Sequence, residues 1–401
     1  EMKIGDLVEV PFGSKKEIGV IWKNKYSEPK NIKIKNIDKN TGYSINTKFI
    51  DFIEWFSTYN MVPIGLVLKM AIGGVDKFIK KKDDLIKIKR IQIKNFKLNP
   101  EQSGALRFLG KVDERFDVSV LQGTTGSGKT LVYFERIKKI IKKNSQALVL
   151  LPEIFLTNEF KSRFEDFFGF EPSIWHSKIT PKQKRIIWKG LIKNKIKILV
   201  GARSALLLPF KKLGLIIVDE EHDNSYKQDE GVIYNARDMA ISRAQFENIP
   251  IHLVTSVPSI ETFKNIQTKK YRHIKILKRY ENYPLPKAQI INLNINKVKN
   301  KFIANETINL VKEFLEKGDQ ILFFINRRGF APYLICKKCG NKQTCSNCSL
   351  YLTFHKLKNK AICHHCGFEK KIKEKCKIEG NCEMIMYGPG VEKIFDETKK
   401  I

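Results

Sequence analysis

A glycine-rich segment from Gly123 to Thr130 carries the clearest chemistry in the sequence. It reads GTTGSGKT, follows the alternating apolar residues of DVSVLQ and precedes apolar residues at helical spacing. A strand, a glycine loop and a helix in this order are typical of the phosphate-binding Walker A arrangement. Backbone N–H groups and the helix N-terminus there surround phosphates with positive charge. We predict nucleotide ligands at Gly123, Thr125, Gly126, Ser127, Gly128, Lys129 and Thr130, with Lys129 on the β and γ phosphates and Thr130 on Mg²⁺.

Two acidic residues, Asp219 and Glu220, follow the four apolar residues 215–218. That run predicts a buried parallel strand, and an acidic pair at its carboxyl end belongs beside the phosphates. We predict that Asp219 holds Mg²⁺ through water and that Glu220 polarises the attacking water, which makes Lys129, Asp219 and Glu220 the catalytic set of an ATP hydrolase. A solvated acidic turn is the alternative.

All eight cysteines lie between residues 336 and 382, in three C-x2-C pairs and one C-x5-C pair. Such spacing lets both thiolates of a pair bind one tetrahedral ion at about 2.3 Å, so eight thiolates predict two structural Zn²⁺ ions. The predicted ligands are Cys336, Cys339, Cys345, Cys348, Cys363, Cys366, Cys376 and Cys382. We expect the nearby histidines, His355, His364 and His365, to be neighbours rather than ligands. An incidental cysteine-rich loop is the alternative.

These groups need a scaffold that brings strand ends together. Apolar segments at 146–152, 196–201 and 249–256 read as further strands, separated by helical stretches. Alternating strands and helices predict an α/β domain with a parallel sheet, whose ligands gather at the carboxyl ends of the strands.

Composition limits the classes of protein to consider. The chain has 401 residues and a formal net charge of +32, which suits a polyanionic partner but is also what a lysine-rich compositional bias produces. It contains no run of 18 apolar residues and no signal-peptide pattern, so neither a membrane span nor a membrane partner is expected. Because it begins EMKIGD without an initiating Met, we expect that residue 1 is not the native start.

Several blocks resemble the PriA family of primosomal replication-restart DNA helicases, in helicase superfamily 2. The blocks are LNPEQ (98–102), GTTGSGKT, LLPEIFLT (150–157), the GARSALLL…DEEH…NARD segment (201–238), ILFFINRRGFAPYLICKKCG (321–340) and GPGVEK (388–393). The opening DLVEVPFGSKKEIGVIW resembles the family's domain that grips a free 3′ end of DNA.

The resemblance implies a RecA-like α/β helicase lobe with a parallel sheet, an incomplete second lobe carrying a two-zinc Cys-rich insertion, and a small, mostly-β N-terminal DNA-binding domain. The implied divisions are a 3′-end DNA-binding domain (1–73), a basic linker (74–97), helicase lobe 1 (98–285), the start of lobe 2 (286–335), the zinc insertion (336–382) and the continuation of lobe 2 (383–401).

The resemblance also implies an activity and a location. The implied protein is an ATP-dependent 3′ to 5′ DNA helicase that recognises stalled forks and promotes primosome assembly. It would act in the bacterial cytoplasm, in association with the nucleoid. Its partners would be forked and single-stranded DNA, single-stranded DNA-binding protein and other primosome proteins. A non-catalytic scaffold that binds branched DNA and uses nucleotide only as a switch is the alternative. An RNA helicase or restriction-enzyme motor shares the ATPase motifs but does not explain the cysteines.

Residue roles follow from the same resemblance. Gln102 would bind the adenine, Arg203 and Ser204 would touch DNA, and Gly13 and Lys33 would border the 3′-end pocket. Two nested zinc sites are implied, one from Cys336, Cys339, Cys376 and Cys382 and the other from Cys345, Cys348, Cys363 and Cys366. Within the aromatic-rich loop 226–238, the DNA-binding candidates that could stack on bases or pair with phosphates are Tyr226, Tyr234 and Arg237; an ordinary surface loop is the alternative.

Four departures from the family pattern affect these expectations. Residues 74–97 replace the usual winged helix, Val257 stands where Thr is common, and the last cysteine pair has a longer spacing. The chain ends after GPGVEK without the family's arginine-finger motif, so we expect a fragment that binds ATP and hydrolyses it poorly. An arginine finger is worth roughly 10³ to 10⁵ in rate.

Overall fold

The computed structural model describes most of the chain and divides it into two units, Glu1–Pro284 and Leu285–Ile401. The described residues are 2–23, 34–73, 94, 96–112, 114–279, 284, 286–293, 302–327, 329–331, 333–356, 358–371 and 383–401. The predicted site residues Lys33, Cys376 and Cys382 lie outside these ranges, as does most of the predicted linker 74–97.

The first unit begins with a small sheet followed by two helices. These elements are β1 (Asp6–Phe12), β2 (Lys15–Val20), β3 (Lys39–Ser44), α1 (Thr47–Tyr59) and α2 (Ile64–Ile72). The strands are antiparallel in the order β2-β1-β3. Asn46 caps α1 by accepting a hydrogen bond from the Phe49 N–H at 2.7 Å. The predicted small β domain is confirmed, and helices α1 and α2 are additions to it that were not predicted from the sequence.

Helices α1 and α2 pack onto the domain that follows. Phenylalanines at helical spacing on α1, Phe49, Phe52 and Phe56, are fully buried in a core that also contains lobe residues. The Trp188 indole N–H donates to Ala71 O at 3.2 Å, and the Lys48 amine donates to Glu247 O at 2.9 Å. The N-terminal module therefore shares a hydrophobic core with the lobe.

A seven-stranded parallel sheet forms the centre of the first unit. The strands of this region are β4 (Asp117–Gly123), β5 (Gln146–Leu150), β6 (Ser173–Trp175), β7 (Ile198–Gly201), β8 (Leu213–Asp219), β9 (Lys227–Gln228), β10 (Tyr234–Asn235), β11 (Pro250–Thr255) and β12 (Arg272–Ile276). The sheet order is β12-β4-β11-β8-β5-β7-β6, and β9 and β10 form a separate short hairpin. The predicted parallel α/β fold is confirmed.

Helices cover both faces of this sheet. They are α3 (Pro100–Leu109), α4 (Lys129–Lys142), α5 (Asn158–Phe168), α6 (Pro181–Ile192), α7 (Ala236–Glu247) and α8 (Ile260–Gln267), with short 3₁₀ turns at Glu153–Phe155, Arg203–Leu207 and Asn224–Tyr226. One core joins α3, α4 and α5 to the sheet through residues such as Leu109, Phe134 and Phe167. The other includes Trp188 and Met239 together with the apolar side of α1. The carboxyl ends of the strands are left to form the site.

The second unit is built from short antiparallel pieces. Its elements are α9 (Asn305–Glu316), β13 (Tyr333–Cys336), β14 (Thr353–His355), β15 (Lys360–Ile362), β16 (Glu369–Lys371), β17 (Met384–Tyr387) and α10 (Val391–Thr398). Strand β13 pairs with β17, and β14, β15 and β16 form a three-stranded sheet. Among the described residues of this unit, no strands pair in parallel. Across the described part of the whole chain, every helix is too short or too polar to cross a bilayer.

Candidate functional site

The loop between β4 and α4 is built around glycines that no other residue could easily replace. Gly126 and Gly128 have φ of 82° and 79°, in the left-handed region. An ideal Cβ on Gly128 would lie 2.3 Å from Gln102 Nε2, and one on Gly123 would lie 2.6 Å from Ser127 Oγ. The sequence therefore closes a tight loop directly at the N-terminus of α4.

Polar atoms inside this loop fit an oxyanion. The hydroxyls of Thr124 and Ser127 are buried without a hydrogen-bond partner among the described residues. The Lys129 amine donates to Gly123 O at 2.6 Å and to Thr124 O at 3.3 Å, so it lies across the loop. Burial lowers the Lys129 pKa, while Glu220 and Asp219 oppose that shift. Buried donors without partners are what a bound phosphate group would satisfy.

Asp219 and Glu220 lie at the carboxyl end of β8, as predicted for an acidic pair beside phosphates. Asp219 Oδ2 accepts a hydrogen bond from the Tyr133 hydroxyl at 2.9 Å, and Oδ1 accepts from the Glu220 N–H at 2.9 Å. Burial raises the pKa of Asp219 to about 6, and the Glu220 charge adds to the rise. A cation at this carboxylate would favour the ionised form.

One cavity brings the predicted catalytic residues together. It has a volume of about 500 Å³ and is lined by Lys129, Asp219 and Glu220, with Thr130 at the start of α4. An aromatic wall completes it: Phe96, Phe134, Phe155, Phe160 and Phe167. The glycine loop and the acidic pair, about 90 residues apart in sequence, thus face a shared space.

Gln102 lies beneath the loop rather than on the cavity wall. It is 1% exposed. Its Nε2 donates to Ser127 O at 3.0 Å, and its Oε1 accepts from the Asn99 N–H at 3.0 Å in a capping box at the start of α3. In this arrangement the amide braces the loop, and its contact with adenine stays a prediction.

The third acid of the DEEH segment, Glu221, joins the site to the TSVPSIET segment. Its carboxylate accepts hydrogen bonds from the Ser259 N–H at 2.8 Å, the Thr262 hydroxyl at 2.9 Å and Arg237 Nη1 at 3.3 Å. His222 reaches the same segment, because its Nδ1 lies 2.7 Å from Thr255 Oγ1. Val257, the departure from the family pattern in this segment, has an exposed side chain.

The predicted DNA-binding residues fall into exposed and buried groups. Ser204 is exposed and Arg203 is half-buried, both at the start of the 3₁₀ turn after β7. Gly13 is exposed in the turn between β1 and β2.

Tyr226 and Tyr234 are instead 1% and 3% exposed, so neither ring has a face that a base could reach in this structure. The Tyr226 hydroxyl donates to Leu150 O and Asp219 O, and the Tyr234 ring packs edge-on against Phe56 at 5.2 Å. Arg237 is also buried and forms ion pairs with Glu221 and Asp238. The stacking role predicted for the two tyrosines is corrected to a packing role, because the N-terminal module and the strand ends cover them.

Four cysteines form a compact cluster in the second unit. The sulfur atoms of Cys345, Cys348, Cys363 and Cys366 all lie within 4.8 Å of one another. Two pairs, Cys345 with Cys366 and Cys348 with Cys363, are separated by 3.5 Å and 3.4 Å. A tetrahedral ion with bonds of about 2.3 Å places its ligands about 3.8 Å apart, so this cluster fits Zn²⁺. A backbone N–H of Cys366 lowers the pKa of the Cys363 thiol to about 6.

The other predicted zinc site is only half described. Cys336 is buried at the end of β13, and its Sγ accepts a hydrogen bond from the Cys339 N–H at 3.4 Å. Cys376 and Cys382 lie outside the described residues. His355 and His364 contact each other at 2.9 Å through their Nε2 atoms, and neither joins the four-sulfur cluster.

Sequence reasoning missed Tyr133 and the structural role of Glu221. Tyr133 lies four residues after Lys129 on α4, so the two side chains occupy the same side of that helix. The four-residue spacing from Lys129 was the sequence signal that could have placed Tyr133 at the site. No comparable signal identified Glu221, because its partners Ser259 and Thr262 are 38 and 41 residues away and reach it through the order of strands in the sheet.

Three family models match separate parts of the chain. The model described as "DEAD/DEAH box helicase" matches residues 100–265, and "3'DNA-binding domain (3'BD)" matches residues 1–73. The model described as "PriA DNA helicase Cys-rich region (CRR) domain" matches residues 345–371.

Proteins named "Replication restart protein PriA" are similar along the whole chain. That of Rickettsia prowazekii is 41% identical over 406 residues, which are 99% of this chain and 61% of the relative. That of Rickettsia felis is 39% identical over 100% of this chain and 62% of the relative. The chain belongs to the PriA family. The PriA of Haemophilus influenzae is 40% identical over 71% of this chain and 39% of its own length.

Membership of the PriA family confirms the resemblance found in the sequence. The helicase match spans both the phosphate loop and the DEEH segment, and the Cys-rich match begins at Cys345 and includes the four-sulfur cluster. The chain spans about three fifths of the length of the two Rickettsia PriA proteins.

Proposed function

We propose that this chain contains the nucleotide-binding lobe of an ATP-dependent DNA helicase that acts in replication restart. The observation that supports this most strongly is the cavity in which Lys129, Thr130, Asp219 and Glu220 meet beside the loop with buried, unpartnered hydroxyls. Full proteins of this kind would unwind stalled or repaired forks with 3′ to 5′ polarity and promote primosome assembly.

Each residue of the site has a role in this proposal. The loop amides and the Lys129 amine bind the phosphates and balance their charge. The Thr130 hydroxyl and the Asp219 carboxylate would hold Mg²⁺, which when bound neutralises charge on the transferred phosphoryl group. Glu220 orients the attacking water and accepts its proton, while Tyr133 holds the Asp219 carboxylate in place by its hydrogen bond. Gln102 supports the loop from below.

The DNA-binding side rests on exposed groups and on charge. Arg203 and Ser204 stand at the carboxyl end of β7, on the same edge of the sheet as Asp219. Gly13 and Lys33 would border a pocket for a free 3′ end in the N-terminal module. The formal net charge of +32 would attract forked and single-stranded DNA. Single-stranded DNA-binding protein and other primosome proteins are proposed protein partners, at the nucleoid in the cytoplasm.

The cysteines are proposed to hold two structural Zn²⁺ ions. One ion fits Cys345, Cys348, Cys363 and Cys366, and the second would use Cys336, Cys339, Cys376 and Cys382. Four thiolates leave no open coordination position for water, so the ions shape the fold rather than take part in a reaction.

The proposal can be tested with Lys129→Ala in the longest native protein that contains this chain. We expect the variant to lose nucleotide binding and DNA-stimulated ATP hydrolysis, because the loop loses its charge and its link to Gly123 O and Thr124 O. Lys182→Ala on the exposed start of α6 is the matched control and should behave as the wild type. Normal turnover by Lys129→Ala would refute the site.

Strand displacement separates a motor from a nucleotide-switched scaffold. With ATP, the full protein should unwind a partial duplex with a 3′ single-stranded tail efficiently and one with a 5′ tail poorly. Without ATP it should unwind neither. Binding of forked DNA without any ATP-dependent unwinding would instead favour the scaffold.

A further inference from the structure

Arg279 places a guanidinium against the phosphate loop. Its Nε donates to Thr125 O at 3.1 Å, and its Nη1 donates to Pro284 O at 3.2 Å. An ideal Cβ on Gly126 would lie 3.4 Å from Nε and 3.5 Å from Nη2, so the guanidinium packs directly on the backbone of that glycine. The sequence predictions give this residue no role.

The position of Arg279 is fixed from the first turn of α3. The Glu101 carboxylate accepts hydrogen bonds from the Leu277 and Lys278 N–H groups at 2.9 Å and 3.0 Å, which hold the segment after β12. The next residue, Gln102, holds the phosphate loop through Ser127 O. Two consecutive side chains therefore align the Arg279 segment with the loop.

Within the part of the chain that the structure describes, no acidic side chain forms an ion pair with Arg279. Its hydrogen-bond partners among the described residues are two backbone carbonyls, Thr125 O and Pro284 O. Lys129 differs, because Asp219 and Glu220 both act on its charge. A guanidinium beside an anion site, with one nitrogen still without a partner in the described structure, is suited to a charge-assisted hydrogen bond with phosphate.

We propose that Arg279 is a further phosphate ligand for the nucleotide, reaching it from the edge of the loop formed by Thr125 and Gly126. Its Nε stays on Thr125 O, and Nη2 is offered to a phosphate oxygen. The inference rests on the proposed nucleotide site and adds to it a positive group that comes from outside the Walker segment.

The test is displacement of a fluorescent ADP analogue by MgADP and by inorganic tripolyphosphate, which has no base or sugar. Arg279→Ala should lower the affinity for MgADP and for tripolyphosphate by a similar factor, roughly ten- to a hundredfold. This is the loss expected when a hydrogen bond between charged groups is removed. Arg279→Lys should lie between wild type and Ala because it keeps the charge but loses the planar fork. Arg107→Ala, an exposed arginine on α3, is the matched control and should match wild type.

Arg279→Gln distinguishes phosphate binding from simple support of the loop. The Gln side chain can still donate to Thr125 O but has no charge, so it should be as weak as Ala if Arg279 binds phosphate. Recovery of wild-type affinity by Gln, or weakening of MgADP without weakening of tripolyphosphate, would overturn the proposal. If Lys129→Ala as well as Arg279→Ala binds MgADP and tripolyphosphate normally, the proposed nucleotide site is wrong. If only Arg279→Ala binds them normally, the nucleotide site stands and the proposed role of Arg279 is wrong.

Discussion

Removing the Tyr133 hydroxyl should change the pH at which the site accepts Mg²⁺ with nucleotide. The Asp219 carboxylate has a pKa of about 6, raised by burial and by Glu220 and lowered by the hydrogen bond from Tyr133. In Tyr133→Phe that hydrogen bond is lost while the ring, which is buried, keeps its packing. The carboxylate form becomes less favourable, so the proton should be held to higher pH.

The size of the effect follows from the strength of one hydrogen bond. A hydrogen bond to a charged group contributes roughly 1.5 to 3 kcal/mol, and about 1.4 kcal/mol corresponds to one pKa unit. The Asp219 pKa should therefore rise by roughly one to two units in Tyr133→Phe. At pH 7 the ionised fraction would fall from about nine tenths to between about one half and one tenth.

The assay is the affinity for a fluorescent ADP analogue, with and without Mg²⁺, across a pH series. The Mg²⁺-dependent gain in affinity should have its midpoint at higher pH in Tyr133→Phe than in wild type, and the two proteins should converge at alkaline pH. Tyr226→Phe is the matched control, because that buried hydroxyl donates to the backbone oxygen of Asp219 and to Leu150 O, not to the carboxylate. Identical pH profiles for wild type and Tyr133→Phe would refute the reasoning.

The same shift predicts how stability depends on pH without Mg²⁺. The folded state holds the Asp219 proton more tightly than the unfolded chain, whose carboxyl has the ordinary value of 3.8. Stability should therefore fall as pH rises from about 4 to about 6, by roughly 3 kcal/mol for a shift of about two units. MgADP should restore much of this loss, because the cation stabilises the carboxylate.

Three further substitutions test other parts of the structure. Cys363→Ser should lower the zinc content and increase amide hydrogen exchange across residues 345–371 without changing exchange in the phosphate loop, and unchanged zinc content would contradict the cluster. Glu221→Gln should reduce the free energy of unfolding by roughly 2 to 4 kcal/mol in denaturant titrations, because it leaves the buried Arg237 with a weaker partner. Glu261→Gln is the control, because Glu261 is an exposed ion-pair partner of the same arginine. It should change the free energy of unfolding by about 0.5 kcal/mol or less. Arg243→Ala should cost roughly 2 to 4 kcal/mol by the same measurement, because the fully buried guanidinium packs on Phe49 of α1, and a neutral effect would argue against a shared core.

Local motifs were predictable where the chemistry depends on neighbouring residues. The strand, loop and helix around Gly123 to Thr130 follow from hydrophobic spacing and from glycines that adopt left-handed backbone. The acidic end of β8 follows from the apolar run before it. Several cysteine pairs two residues apart within one short segment indicate structural zinc sites.

Burial of the aromatic loop could not be read from its composition. Tyr226 and Tyr234 stand among Lys227, Gln228 and Arg237, a mixture that fits a nucleic-acid surface equally well. Their rings are buried because the 3₁₀ turn carries Tyr226 under the end of β8, and because α1 from the N-terminal module brings Phe56 onto Tyr234. The contact of Tyr234 with Phe56 and the hydrogen bond of the Tyr226 hydroxyl to Leu150 O join residues that are far apart in sequence.

The left-handed backbone of Glu220 explains why Asp219 and Glu220 line the cavity while the next acid, Glu221, contacts a different segment. Glu220 has a φ of 48°, and its side chain and that of Asp219 face the cavity. The chain reverses at this point, so Glu221 is directed to Ser259 and Thr262 instead. Arg237, at the end of the aromatic loop, completes that second cluster through Glu221. The loop is therefore joined to the candidate nucleotide site through the buried Arg237–Glu221 ion pair and the left-handed Glu220.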